Sequence, residues 1–186
     1  MTGIKITDLK ELADKNIFGV TLQRLAYQLI ENHDDFSNSV IIGLQPRGIY
    51  VARRIHKALT DILGKKIHLG ELDVTFFRDD FRHQDQPIIP SATQVDFLVE
   101  DKKVIMMDDV LFTGRTIRAG LDALLAFGRP AKVELLVLVD RRYSRHVPVE
   151  PDYVGIAVDT ISSQKVKVSW KETDGEDGVI LLSNEK

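Results

Sequence analysis

Residues 104–116 read VIMMDDVLFTGRT. Val104 to Met107 form a short buried-strand pattern that ends abruptly in two acids, Asp108 and Asp109. Val110, Leu111 and Phe112 then lead into Thr113-Gly114-Arg115-Thr116, after which Ile117, Leu121, Leu124 and Leu125 recur at helical spacing. The order is strand, acids, small polar loop, helix. Thr113 to Thr116 would bring unpaired N–H groups, two hydroxyls and a guanidinium to the start of a helix, where the dipole also favours an anion. That is the chemistry of a phosphate cradle. Carboxylates, ionised at neutral pH, would repel a phosphate placed against them, so the two acids suit ribose hydroxyls or Mg2+ instead. A ligand with a phosphate at one end, a sugar diol in the middle and a metal-bound group beyond matches both halves of the stretch. Gly-x-x-x-x-Gly-Lys-Ser/Thr does not occur, so a nucleoside-triphosphatase loop is not supported.

The flanking chain repeats the same alternation. Phe18, Leu22, Leu25, Ala26 and Leu29 share one face of a helix over Asp14–His33, with Asp14 as its N-cap, and Val40–Leu44 reads as a buried strand. Gln45-Pro46-Arg47-Gly48 leaves that strand for a second helix with Ala52, Ile55, Leu59, Ile62 and Leu63 on its face. Gly48 permits close backbone approach there and Arg47 can bind an anion. Lys65–Thr75 carries the strand-like KIHLGELDVT, and Arg78 to Pro90 is polar, proline-containing and aperiodic, a long loop. Gly128-Arg129-Pro130 ends the helix after the central stretch, and Lys132–Asp140 supplies another apolar strand. Strands alternating with helices predict an α/β fold with a mostly parallel, helix-covered sheet that binds ligands beyond the C-terminal strand ends. Gln45–Gly48, Asp108–Thr116 and Asp140–Arg142 all sit at such ends. Tyr153–Val158, Lys165–Trp170 and Val179–Leu182 are short strand candidates for sheet additions or a small hood.

Composition bounds the possibilities. The 186 residues suit one domain with a sizeable core, and a net charge of -3 announces no strongly basic nucleic-acid surface. The absence of cysteine excludes disulfides and thiolate chemistry. MTGIKITDLKELADK lacks a signal-peptide apolar region and no run is long enough for a membrane span, so a soluble cytoplasmic protein is expected.

The central stretch resembles the phosphoribosyl-pyrophosphate (PRPP) signature of the type I phosphoribosyltransferases. More narrowly, VIMMDDVLFTGRTIRAGLDALLAFGRP, with GLQPRGIY upstream and LVDR downstream, resembles the PyrR family of pyrimidine-operon regulators with uracil phosphoribosyltransferase activity. The resemblance implies a single domain over 1–186, a type I phosphoribosyltransferase-like fold, a flexible loop at about 76–96 and a hood from about 141–186. It implies conversion of PRPP and uracil to UMP and diphosphate with Mg2+, the ion arriving with PRPP and meeting Asp108 and Asp109. Asp108 and Asp109 would hold the ribose, and Thr113, Gly114, Arg115 and Thr116 the 5′-phosphate. Arg47 and Gly48 would contact the pyrophosphate, joined by Arg78 and Asp79 from the loop, where Arg78, Asp79 and Asp80 match the family's Arg-Asp-Asp. Arg141, Val166 and Lys167 would border the base. It further implies a homo-oligomer, a dimer or larger, and a leader-RNA partner approached through Arg24.

Three departures from the family pattern stand out. Purine-using relatives carry an acid just before the Thr-Gly pair, and the PyrR family usually has tyrosine; here the residue is Phe112, which cannot transfer a proton. The segment after LVDR, normally Gly-His-Arg-Glu-Leu-Pro, reads Arg142-Tyr143-Ser144-Arg145-His146-Val147-Pro148, one residue longer, which leaves base selectivity open. On the first helix the family's Thr-Arg pair and nearby His become Gln23, Arg24 and Tyr27, so only the arginine is kept for RNA.

Overall fold

A computed structural model describes residues 6–77, 92–161 and 163–184. Helix α1 (Lys15–His33) begins where the Asp14 carboxylate accepts a hydrogen bond from the Ile17 amide at 2.8 Å, the cap expected from sequence. It is followed by β2 (Ser39–Leu44), α2 (Gly48–Leu63), β3 (Leu69–Leu72), β4 (Lys103–Leu111), α3 (Arg115–Leu124), β5 (Lys132–Arg142) and β6 (Tyr153–Asp159). These strands form a five-stranded parallel sheet in the order β3-β2-β4-β5-β6. Alternation along each strand divides the core between its faces. Ile41, Ile105, Met107 and Leu136 pack with α1 and α2, while Val40, Ile42, Val104, Met106 and Val137 pack with α3.

A second sheet stands at one side. β7 (Gln164–Ser169) and β8 (Gly178–Asn184) form an antiparallel pair, and β8 also pairs with β1 (Ile6–Ala13); a short helix α4 (Lys171–Asp174) joins β7 to β8. The N-terminal strand was not read from sequence, because ITDLKELA has no clean alternation and its partner lies at the other end of the chain. Of the segment expected to add to the sheet or build a hood, Tyr153–Asp159 extends the main sheet: its Tyr153 and Val154 register with Leu136 and Val137 of β5.

Two local expectations change. Lys65–Thr75 is a strand only over Leu69–Leu72, and Thr75–Phe77 is a turn of 3-10 helix; at the far side of the expected loop, Gln94 is already bridged to Glu71 by two backbone hydrogen bonds. Helix α3 buries Ile117, Ala119, Gly120, Ala123 and Leu124 and leaves Leu121 and Leu125 exposed. Small residues at 119, 120 and 123 let it lie close to the sheet, which turns the two leucines outward.

Trp170, fully buried at the end of β7, ties the small sheet to the large one. It meets the edge of Phe18 from α1 at 5.1 Å between ring centroids, stacks on Tyr50 of α2 at 5.7 Å, and lies under the Arg54 guanidinium. Arg54 in turn donates to both carboxylate oxygens of Glu172 and of Asp177. At the opposite edge of the main sheet, His33 is buried with Nδ1 against the Ser39 hydroxyl and Nε2 against Glu134, both at 2.8 Å. Burial lowers the pKa of His33, partly offset by Glu134.

Candidate active site

Parallel strands all present their C-terminal ends on one edge, so the polar blocks after β2, within β4 and after β5 are brought together by topology alone. Strand β4 runs further than its apolar stretch suggests. It pairs with β2 only as far as Gly43–Met107, but with β5 as far as Leu111–Asp140. Asp108 and Asp109 therefore lie inside the strand where its β2 side has fallen away, and the start of α2 fills that opening. The approach is so close that a methyl group at Gly48 would sit 2.6 Å from the Met107 carbonyl oxygen.

Both acids are buried. The Asp108 carboxylate accepts from the Asp109 amide at 2.9 Å, and Asp109 accepts from the Val110 amide at 2.8 Å. Burial pushes the Asp109 carboxyl above its ordinary range, against the opposing pull of Arg47 and the Val110 amide. Arg47 donates through Nε to Asp109 at 3.3 Å and through Nη2 to the Val168 carbonyl at 2.6 Å and Asp174 at 3.2 Å. It thereby links the acid pair to the small sheet. The Trp170 amide, the Thr173 hydroxyl and Arg47 hold Asp174 down at about 2.

The acids divide two cavities between them. One, about 420 Å³, is lined by Asp108, by Thr113, Gly114, Arg115 and Thr116, and by Phe112 and His146. The other, about 370 Å³, lies between the sheets and is lined by Arg47, Asp109, Val110 and Lys165–Val168. In the first, Gly114 adopts φ +86°, a left-handed turn that suits glycine, and α3 begins at Arg115, whose amide donates to the Thr113 hydroxyl at 3.5 Å. The N-terminal end of α3, with its helix dipole, thus stands at the cavity wall.

The segment after β5 is fastened to this turn. Arg145 pairs with Asp140 and donates through Nη1 to the carbonyls of Phe112 at 2.7 Å, Arg141 at 2.8 Å and Leu111 at 3.3 Å. The amides of His146 and Val147 both donate to the Thr113 carbonyl, at 2.9 and 3.1 Å. Arg141 is buried, donates to the Thr160 hydroxyl and the Gln164 carbonyl, and lies 3.9 Å above the Phe112 ring.

Of the residues nominated from sequence, Asp108, Asp109, Thr113 to Thr116, Arg47 and Gly48 meet at this edge, and Val166 and Lys167 line the inter-sheet cavity. Arg141 does not line that cavity; its guanidinium packs on the face of the Phe112 ring. Arg24 is remote, with its guanidinium on the Val154 and Gly155 carbonyls of the edge strand β6 and on Gln28. Arg78, Asp79, Asp80 and His83 lie outside the described residues. Arg145 and His146 were missed, since a lengthened segment rich in polar residues carries no periodic signal of where it docks.

No group of three or more His, Cys, Asp or Glu side chains that could cage a metal occurs among the described residues. Two buried carboxylates at a strand end nonetheless fit a hard cation that takes its remaining ligands from a substrate's oxygens, the usual habit of Mg2+. No helix among the described residues is long and apolar enough to cross a membrane.

Residues 8–173 match the phosphoribosyl transferase domain family. The bifunctional protein PyrR of Desulfosudis oleivorans is 48% identical over 160 residues, covering 86% of this chain and 88% of its own. The bifunctional protein PyrR of Bacillus subtilis is 39% identical over 177 residues, covering 94% and 97%. Among solved structures, the hypoxanthine phosphoribosyltransferase of Trypanosoma cruzi matches with a TM-score of 0.70 over 95% of this chain and 97% of that one. At 18% identity that match speaks to fold alone. The matched domain and the near full-length relatives make this chain a member of the phosphoribosyltransferase family, in its PyrR branch.

Proposed function

We propose that the chain is a uracil phosphoribosyltransferase, converting PRPP and uracil to UMP and diphosphate. The observation that carries this reading is the division of the two acids between a phosphate-type cavity and a cavity under the small sheet. A ribose 5-phosphate spanning them puts its phosphate against Thr113, Gly114, Arg115 and Thr116 and its hydroxyls against Asp108 and Asp109. The anomeric carbon then faces the space bordered by Arg47, Val166 and Lys167. Displacement there passes through a sugar with positive character, as in glycoside chemistry. The protein's work is to position and to neutralise. Arg47, with Gly48 allowing the backbone close and Arg78 and Asp79 joining from the loop, receives the departing pyrophosphate. Mg2+ held by Asp108 and Asp109 through the substrate's oxygens would neutralise charge on that leaving group. Val166 and Lys167 border the base, and Arg141 holds Phe112 at the wall of the phosphate cavity.

A single domain over 1–186 with a hood, a cytoplasmic location and assembly into a dimer or larger belong to the same reading. Ile17, Val20 and Tyr27, exposed along α1, are apolar surface that such an assembly would cover. The relatives' designation as bifunctional supports a second activity, nucleotide-sensitive binding of pyrimidine-operon leader RNA. Around Arg24 it would rest on Gln23 and Tyr27, because the arginine itself is committed to β6.

The test is pyrophosphate release from PRPP and Mg2+ with uracil, beside hypoxanthine, guanine and orotate. Uracil-dependent turnover that drops by about 10²-fold or more in Asp108→Asn/Asp109→Asn is expected. Binding of PRPP or UMP without turnover on any base would overturn catalysis and leave the regulator.

A further inference from the structure

The phosphate cavity has a wall that the PRPP stretch does not supply. Arg145 takes the carbonyls of Leu111 and Phe112, and the amides of His146 and Val147 take that of Thr113. In a planar trans peptide the C=O of one residue and the N–H of the next point in opposite directions. Holding three successive carbonyls on the side of this segment therefore turns the N–H groups of Phe112, Thr113 and Gly114 the other way. The same bonds bring His146, an exposed residue, to the cavity, which it lines. Among the described lining residues, Arg115 and His146 are the two able to carry positive charge, and the cavity also contains the acid Asp108. The ring takes no hydrogen bond among the described residues; only the backbone amide of His146 is engaged. An imidazole keeps at least one N–H donor in either protonation state, so it can serve a phosphate oxygen whether neutral or charged.

Building on the phosphoribosyltransferase reading, we infer that His146, fixed by the docking of Arg145–Val147 on the Thr113–Gly114 turn, is an additional ligand of the substrate's 5′-phosphate. It reaches the phosphate from beside the Thr113–Thr116 loop, on the segment that is one residue longer here. The 5′-phosphate neither makes nor breaks a bond in the reaction, and the contact from His146 is assigned as one made alike in ground and transition states. Loss of His146 raises KM for PRPP and leaves kcat in place.

Ribose 5-phosphate, which has the phosphate and sugar but neither base nor pyrophosphate, is the probe, titrated calorimetrically against wild type, His146→Ala, His146→Asn and Tyr143→Ala. His146→Ala weakens binding by about tenfold, the effect of one hydrogen bond to a charged group, and raises KM for PRPP in proportion. His146→Asn, which keeps an N–H donor, recovers part of the loss, and Tyr143→Ala, on the same segment but exposed and outside the cavity, binds as wild type. If wild type binds and His146→Ala stays within about twofold of it, the inference is overturned and the phosphoribosyltransferase reading stands. If wild type binds neither ribose 5-phosphate nor PRPP, both fall together.

Discussion

Replacing Gly48 with alanine tests how the site is assembled. The added methyl would lie 2.6 Å from the Met107 carbonyl oxygen, 2.9 Å from the Asp108 Cα and 3.0 Å from an Asp108 carboxylate oxygen. The first two atoms belong to the backbone of β4, which is hydrogen-bonded to its neighbours and has no rotamer with which to step aside. The first turn of α2 must retreat by roughly half an ångström or more, an overpacking strain of about 1–3 kcal/mol. For a chain of this length the melting temperature falls by roughly 3–10 °C. Function suffers more than stability, because Arg47 moves with that turn and its contact with Asp109 is already 3.3 Å. Misplacement of about 1 Å costs on the order of 10²-fold, so kcat/KM for PRPP falls by about 10- to 100-fold. Gly19→Ala is the control: nothing lies within 4 Å of a methyl there, and a mid-helix alanine stabilises by up to about 1 kcal/mol. Thermal denaturation and steady-state pyrophosphate release on both variants decide the matter. A Gly48→Ala protein with unchanged melting temperature and unchanged kcat/KM would refute the claim that contact between α2 and the β4 backbone sets the geometry.

Three further outcomes are expected. Arg47 opposes the burial that raises the Asp109 pKa, so Arg47→Ala moves the acid limb of UMP binding to higher pH; UMP is the readout because it carries no pyrophosphate for Arg47 to hold, and an unmoved limb in calorimetry would sink the coupling. His33 is depressed by burial, so its contribution to stability is present above the unfolded pKa of about 6.5 and is lost as pH falls below it. Urea midpoints should therefore decline from pH 7.5 to 5.5 by less in His33→Gln than in wild type, and an equal decline would assign the sensitivity elsewhere. Trp170→Ala removes the side chain shared by β7, α1 and α2, costing about 3–5 kcal/mol, whereas Trp170→Phe keeps most of the ring contacts; denaturant titration of the two separates them.

Much of this architecture is local and so was legible in the chain. Asp14 caps α1 through a bond three residues long, the apolar runs of β2, β4 and β5 declare buried strands, and Thr113–Thr116 after the two acids declares a glycine turn that opens a helix, without any knowledge of their neighbours. Parallel alternation even required the blocks at Gln45–Gly48, Asp108–Thr116 and Asp140–Arg142 to share one edge. What the sequence left open were the contacts between distant segments. β1 needs β8 as its partner, Arg47 reaches Val168 and Asp174 across the two sheets, and Arg145 and His146 are drawn to the Thr113 turn from a segment with no period of its own. Periodicity and spacing report which face of an element is apolar and which residues adjoin in the chain. They carry no record of which distant carbonyl a guanidinium will satisfy, and that pairing, made only once the strands are stacked in order, decides which side chains share a cavity.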